Sequence, residues 1–166
     1  MSIFRHRPLG LPALALLLGV AGCSFADDSA SVAVPSPAAK TAALCRELDR
    51  ALPSRVDGQD RRDPTPASPL TAGWGDPAII LRCGVERPAK MTDQRVSEGG
   101  DPDAVAGGVD GVDWLMEKQD DGAYRFTTAN RRAYVEVRVP KGRDTSSVLV
   151  DLAPAMKKAI PEGIAD

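Results

Sequence analysis

Two stretches of the chain carry apolar residues at the spacing of an amphipathic helix. The first follows Ser36 and Pro37, a typical N-cap and first helical position, and it stops before Pro53 because the residue ahead of a proline resists helical geometry. The second begins at Asp151, which we expect to cap it, and ends at Pro161. The apolar faces are Ala42, Leu44, Cys45, Leu48, Ala51 and Leu52 in the first helix, and Leu152, Ala155, Met156, Ala159 and Ile160 in the second.

Between the helices, four segments alternate apolar and polar residues, as strands do when one face of their sheet is buried. They are residues 78–85, 112–117, 124–128 and 134–139. Segments 53–77 and 87–111 are rich in proline, glycine and aspartate, and we expect them to be loops. The order of elements predicts a small single α+β domain. It would have an antiparallel sheet of about four strands, with the N-terminal and C-terminal helices packed on one face.

The first 22 residues have the features of a bacterial secretory signal. Arg5 and Arg7 precede an apolar run from Leu9 to Val20, which is short for a bilayer span but typical of the apolar part of a signal. The run ends in Ala21-Gly22-Cys23, which resembles a lipobox. The resemblance implies that the Cys23 sulfur receives a diacylglycerol and that the chain is cut before this residue. An ordinary cleaved signal and a short membrane anchor are the alternatives.

Cleavage at this point would divide the chain into three parts. Residues 1–22 are the signal, residues 23–35 are the lipidated cysteine and a flexible tether, and residues 36–166 are the domain. The tether is predicted because the stretch after Cys23 is rich in Ser, Ala and Asp and lacks periodicity. Two or three acyl chains, palmitate among them, anchor a protein stably. We therefore expect a lipoprotein on the outer face of the cell membrane, with an envelope protein or a cell-wall component as a further partner.

Charge and histidine content exclude several classes of function. The chain has 21 basic and 23 acidic residues, whereas proteins that bind nucleic acid usually have a basic excess. The one histidine, His6, lies in the predicted signal, so the mature chain would have no Ser-His-Asp triad and no histidine-ligated zinc. Phosphate-binding loops and G-x-S-x-G motifs are also absent from the sequence. We therefore expect no catalytic residues, no metal and no cofactor, and no nucleic-acid partner.

The three cysteines fit an exported protein. If Cys23 carries lipid, Cys45 and Cys83 remain as a pair, and a disulfide between them would persist outside the cytoplasm. Cys45 lies on the apolar face of the first predicted helix and Cys83 on the apolar face of the first predicted strand. A bridge would therefore clamp that helix onto the sheet. Two buried free thiols are the alternative, and a catalytic dithiol is disfavoured because no Cys-x-x-Cys spacing occurs.

Two sets of residues are candidates for a binding surface. Trp74, which lies between two glycines and is followed by Asp76, could present an exposed aromatic ring to a sugar or a protein partner. The alternative is that its side chain folds back over the sheet. Paired arginines could form an anion site for phosphate or a wall polymer, or could be solvated loop charges. These arginines are Arg61, Arg62, Arg131 and Arg132.

Several segments together resemble a known family. They include Val56-Asp57-Gly58-Gln59, the run from Ser68 to Val85, residues 109–115, and Ala133-Tyr134-Val135-Glu136-Val137. They are similar to actinobacterial lipoproteins grouped as domain-of-unknown-function family 3515, over roughly residues 34–161. The resemblance implies a small exported domain with a bridge between Cys45 and Cys83, and it implies no activity.

The function expected from the sequence is binding or scaffolding at the cell envelope rather than catalysis. The best-motivated contact surface is the proline-rich segment with the Trp74 turn. A module that binds a small ligand or a wall polymer through its arginines is the first alternative. A hydrolase that works through carboxylates without histidine is the second, and it would need two converging carboxylates in a deep pocket.

Overall fold

The structure is a computed structural model that describes residues 30–165. The predicted signal, Cys23 and the first part of the predicted tether lie outside the described residues. The elements in chain order are α1 (Ala39–Ala51), β1 (Arg55–Val56), β2 (Gln59–Asp60), β3 (Thr71–Trp74), β4 (Ile79–Cys83), a 3-10 helix (Ala89–Thr92), α2 (Gln94–Ser97), β5 (Ala104–Val109), β6 (Val112–Lys118), β7 (Tyr124–Thr128), β8 (Val135–Val139) and α3 (Thr145–Ala159).

The main sheet has six antiparallel strands in the order β3-β4-β8-β7-β6-β5, and β1 and β2 form a separate hairpin. The α+β class is confirmed, but the expectation of about four strands is wrong. The missing strands, β3 and β5, form the two edges of the sheet and lie in the segments expected to be loops. All four residues of β3 are buried and most of β5 is exposed, so neither strand shows the alternation that predicts a strand.

The long helices and one face of the sheet enclose the main core. Register places Leu81 of β4, Val137 of β8 and Phe126 of β7 side by side on this face, which we call the helical face. They pack with Leu48 of α1 and Leu152 of α3, all of them buried. On the opposite face, which we call the second face, α2 covers only a small cluster. That cluster is Val96, Ala104 and Leu115.

Both long helices begin at positions that differ from the prediction. Helix α1 starts after Ala38, with no side-chain cap, rather than after Ser36. Helix α3 starts two turns before the predicted position, because the Asp144 side chain accepts hydrogen bonds from the backbone N–H groups of Ser146 and Ser147. Asp151, the predicted cap, instead lies inside the helix and accepts a hydrogen bond from the backbone N–H of Asp57 at 2.8 Å.

The segment from residue 30 to residue 38, which we call the strap, lies along the domain. The N–H of Val32 donates to the carbonyl of Thr65, and the N–H of Thr65 donates to the carbonyl of Ala30, both at 2.9 Å. Arg82 Nε donates to the carbonyl of Ala33 at 3.1 Å. The prediction of a tether up to residue 35 is therefore wrong from residue 30 onward. Hydrogen bonds to its main chain attach this segment to the domain, and the sequence pattern does not predict them.

The predicted disulfide between Cys45 and Cys83 is confirmed, so the alternative of two free thiols is excluded. Both residues are buried. The bridge joins the middle of α1 to the last residue of β4, as the two apolar faces predict.

We expect that replacing both Cys45 and Cys83 with alanine lowers the free energy of unfolding by about 4 kcal/mol, because the bridge no longer restricts a long loop in the unfolded chain. The two residues are 38 positions apart. Urea unfolding of residues 24–166, with and without the substitutions, measures this loss. A loss below about 1 kcal/mol would show that the bridge contributes little to stability.

Candidate functional site

Trp74 is buried and cannot be a contact residue, so the prediction of an exposed aromatic ring is wrong. It lies in β3 opposite Ile79, on the helical face of the sheet. Its indole N–H donates to the carbonyl of Pro53 at 3.1 Å, which satisfies the polar end of the ring inside the core. Asp76 is exposed in the turn that follows, and its carbonyl accepts a hydrogen bond from Arg143 at 3.4 Å.

The four predicted arginines do not form one site. Arg61 donates to Asp49 at 2.6 Å and to Asp63 at 2.7 Å, and its guanidinium lies over the Trp74 ring, at the β3 edge of the sheet. Arg131 lies at the other end of the sheet, where it is only 5% exposed.

Arg131 has a structural role. Its guanidinium donates to the carbonyl of Ile160 at 2.8 Å and to the carbonyl of Gly111 at 3.0 Å, so it joins the end of α3 to the β5–β6 hairpin. Arg62 and Arg132 are exposed, and each is the chain neighbour of one of these engaged arginines. Arg62 therefore stays at the β3 edge and Arg132 stays beside the β7–β8 turn. The prediction of a joint anion site is wrong because its members lie at opposite ends of the fold.

The second face of the sheet carries an open cleft of about 860 Å³. The end of the strap, from Pro35 to Ala38, forms one wall, and the chain from Gly84 to Lys90 forms another. Four charged side chains from four adjacent strands line its floor. They are Arg82 of β4, Glu136 of β8, Arg125 of β7 and Glu117 of β6.

The floor residues form two ion pairs. Arg82 Nη1 donates to Glu136 Oε1 at 3.2 Å. Arg125 donates from Nε and Nη2 to the two carboxylate oxygens of Glu117, at 3.1 and 2.9 Å, which is a bidentate contact. The hydrogen bonds to Glu117 raise the pKa of Arg125 above its ordinary value, and the nearby charge of Glu136 adds to this effect. The Glu117 carboxylate is buried, whereas the side chains of Arg82 and Arg125 remain 31% and 37% exposed.

The rim of the cleft carries further charged residues. Arg87 Nε donates to the Tyr134 hydroxyl at 2.8 Å, and its guanidinium lies 5.9 Å from the centre of that ring. Lys90 forms an ion pair with the carboxylate of Asp101, which raises the pKa of Lys90 and lowers the pKa of Asp101. Glu86 is exposed, and within residues 30–165 its carboxylate has no ion-pair partner. The cleft is therefore rich in both signs of charge.

The cleft residues were not among the candidates drawn from the sequence, although a signal for them was present. Arg82, Arg125 and Glu136 occupy the polar positions of predicted strands, so their common face follows from alternation. Their proximity does not follow, because it requires β8 to lie between β4 and β7. A search for charged residues at the polar positions of all four strands would have found them.

Two further features of the described part of the chain bear on function. Residues 30–165 contain no group of three or more histidine, cysteine or acidic side chains placed to hold a metal ion. None of the helices in this range is long and apolar enough to cross a membrane.

The fold and the cleft define a small, disulfide-bridged α+β domain with a charged cleft on the sheet face that its long helices leave open. Residues 8–165 match the family described as "Protein of unknown function (DUF3515)", and the chain belongs to this family. The resemblance to that family is thus confirmed. No curated protein matches the chain, and no solved structure matches it. The family description assigns no activity.

We expect Arg131→Ala to lower the free energy of unfolding by about 3 kcal/mol, because two carbonyls then lose a charged hydrogen-bond donor in a buried place. Arg132→Ala is the matched control, and because Arg132 is exposed we expect it to change stability by less than about 0.5 kcal/mol. Urea unfolding of the two variants measures both values. Equal losses would contradict the structural role of Arg131.

Proposed function

We propose that the protein is a binding module attached to the outer face of the cell membrane through lipid on Cys23, and that its ligand occupies the cleft on the second face. The observation that carries the proposal is the cleft itself, with the charged floor that crosses β4, β8, β7 and β6. Ligand sites in proteins are concave and have volumes of roughly 300–1,000 Å³. The cleft, at about 860 Å³, lies within this range.

The chemistry of the floor favours a polar ligand. Its side chains come from strands of the sheet, and the bidentate pair of Arg125 and Glu117 fixes the orientation of the half-buried Arg125 guanidinium. A site on strands presents its donors with less conformational freedom than a site on loops. Docking through an exposed aromatic surface has no such support, because Trp74 is buried.

The same contacts favour a binding function over hydrolysis catalysed by carboxylates. A hydrolase of that kind needs two carboxyl groups that converge on the substrate. In the cleft, both oxygens of Glu117 accept hydrogen bonds from Arg125, and Glu136 accepts one from Arg82, so both carboxylates are engaged as partners of the floor arginines.

The sequence supports the attachment to the membrane. A short apolar run with basic residues before it leads to small residues and Cys23, in the order of a lipobox. Ala30, where the strap begins, is seven positions after this cysteine, and a chain of that length can extend over at most about 25 Å. The cleft, one wall of which is the end of the strap, would therefore lie close to the membrane.

We expect Cys23→Ala to abolish acyl labelling and to move the protein out of the membrane fraction, because the variant lacks the sulfur that receives the lipid. Metabolic labelling with a fatty-acid analogue and fractionation of cells measure both effects. Ser29→Ala is the control, and it should keep both the label and the membrane location. A Cys23→Ala protein that stays fully in the membrane would contradict lipid anchoring.

We expect the cleft to bind soluble fragments of digested cell envelope, and Ala89→Trp to weaken this binding by about tenfold or more because the indole fills space in the cleft. Ala89 lines the cleft and is exposed. Ala106→Trp on β5 is the control, since it adds the same ring outside the cleft. Amide shifts of isotope-labelled residues 24–166, titrated with the fragments, measure the affinity. Shifts confined to α3 would contradict the proposed site.

A further inference from the structure

Three arginines that line the cleft each use part of the guanidinium to contact the protein and leave the rest available. Arg82 donates from Nε to the carbonyl of Ala33 and from Nη1 to Glu136, and its Nη2 has no partner among the described residues. Arg125 uses Nε and Nη2 for Glu117, and its Nη1 is unpartnered within the same range. Arg87 uses Nε for Tyr134, which leaves both of its terminal nitrogens without a partner in residues 30–165. Unused N–H donors on three guanidinium groups therefore border one cleft.

The sheet register brings two of these groups together. Arg82 is directly opposite Glu136, and Glu136 is directly opposite Thr127, two residues after Arg125. The backbones of Arg82 and Arg125 are thus about 10 Å apart across the strands and about 7 Å apart along them. Two extended arginine side chains that start from these positions can reach one group between them. Arg87 adds a third guanidinium from the chain that follows β4.

We propose that the cleft binds a phosphoryl group through Arg82, Arg87 and Arg125. The proposal rests on the proposed function, because it names the ligand class of the same site. A terminal phosphoryl group has three acceptor oxygens and close to two negative charges, so it can accept from three separate guanidinium groups. A carboxylate has two oxygens, and a single arginine fork satisfies both.

The charged residues that line the cleft leave room for a bound anion. The carboxylates of Glu117 and Glu136 are each held by a floor arginine, and Lys90 is held by Asp101. Arg87 lines the cleft and has no carboxylate partner in the described part of the chain. No ion pair therefore neutralises its positive charge there. Glu86 is the one lining carboxylate outside these pairs within residues 30–165, and it opposes an anion. Its removal should therefore tighten binding.

The phosphoryl group could belong to a lipid headgroup or to a soluble phosphate ester. Both sources share the chemistry that the arginines would recognise. The strap forms one wall of the cleft and begins seven residues after Cys23, so a headgroup of the same membrane would be within reach of the anchored domain. The experiment therefore includes both sources.

The test uses residues 24–166 with the disulfide intact. Glycerol 3-phosphate is titrated into isotope-labelled protein, and flotation is measured with phosphatidylcholine vesicles that contain or lack phosphatidic acid. We expect the ester to shift amides of β4, β7 and the chain from Gly84 to Lys90. Arg87→Ala should weaken this binding by about tenfold or more, since it removes charged hydrogen bonds. Glu86→Gln should tighten it by about twofold to threefold, since it removes a repelling charge.

Arg87 is exposed and pairs with no buried carboxylate, so its replacement leaves the fold intact, which circular dichroism can verify. Arg95→Ala is the matched control, because Arg95 is an exposed arginine on α2 outside the cleft. It should change the affinity by less than about twofold. An equal loss in the two arginine variants would overturn the proposal, since it would indicate attraction by general charge.

The remaining outcomes separate the ligand class from the proposed function. Acetate or malate that binds as tightly as glycerol 3-phosphate would overturn the phosphoryl inference. Envelope fragments that shift the cleft while no phosphate ester binds would overturn it and leave the proposed function standing. Binding of the ester together with flotation that depends on phosphatidic acid supports the inference with a lipid source. Binding of the ester without such flotation supports it with a soluble source.

Discussion

The bond between Cys45 and Cys83 is the constraint on which the arrangement of this domain depends. It joins α1 to the end of β4, one strand in from the edge of the sheet. Arg82, the residue before the bridge, points to the second face and forms part of the cleft floor. The strap leads directly into α1, and Pro37 packs against Gly84, the residue after the bridge. One covalent link therefore fixes the floor and a wall of the cleft together.

The parts of the fold that could be predicted are the strands whose residues alternate between the core side and the polar side of the sheet. Strands β4, β7 and β8 alternate between core and polar positions, so periodicity finds them. The edge strands could not be found in this way. β3 is buried on both sides, and the glycine-rich β5 lies mostly in solvent. The β5–β6 turn, with positive φ at Asp110 and Gly111, is a typical two-residue hairpin turn, but the glycines before it suggest a loop.

The candidate site was harder to predict because it depends on strand order. Glu136 lies between Arg82 and Arg125 in space, although it follows both of them in the chain. The arginines chosen from the sequence were adjacent pairs in connecting segments. In the structure, Arg61 donates hydrogen bonds to two nearby carboxylates, and Arg131 donates hydrogen bonds to two backbone carbonyls. A pair of neighbouring charges in a loop therefore says little about a site, because the loop and the elements packed against it supply partners for them.

The hydrogen bonds of the strap determine how a force on the start of the domain would reach the cleft. The chain enters at Ala30 through hydrogen bonds with Thr65, and the carbonyl of Ala33 then receives the bond from Arg82. A force applied ahead of Ala30 would therefore load the Thr65 contacts first and the guanidinium of the cleft floor next. Traction on the leading end of the molecule and the shape of its concave surface are coupled through three hydrogen bonds, two with the main chain of Thr65 and one with the side chain of Arg82.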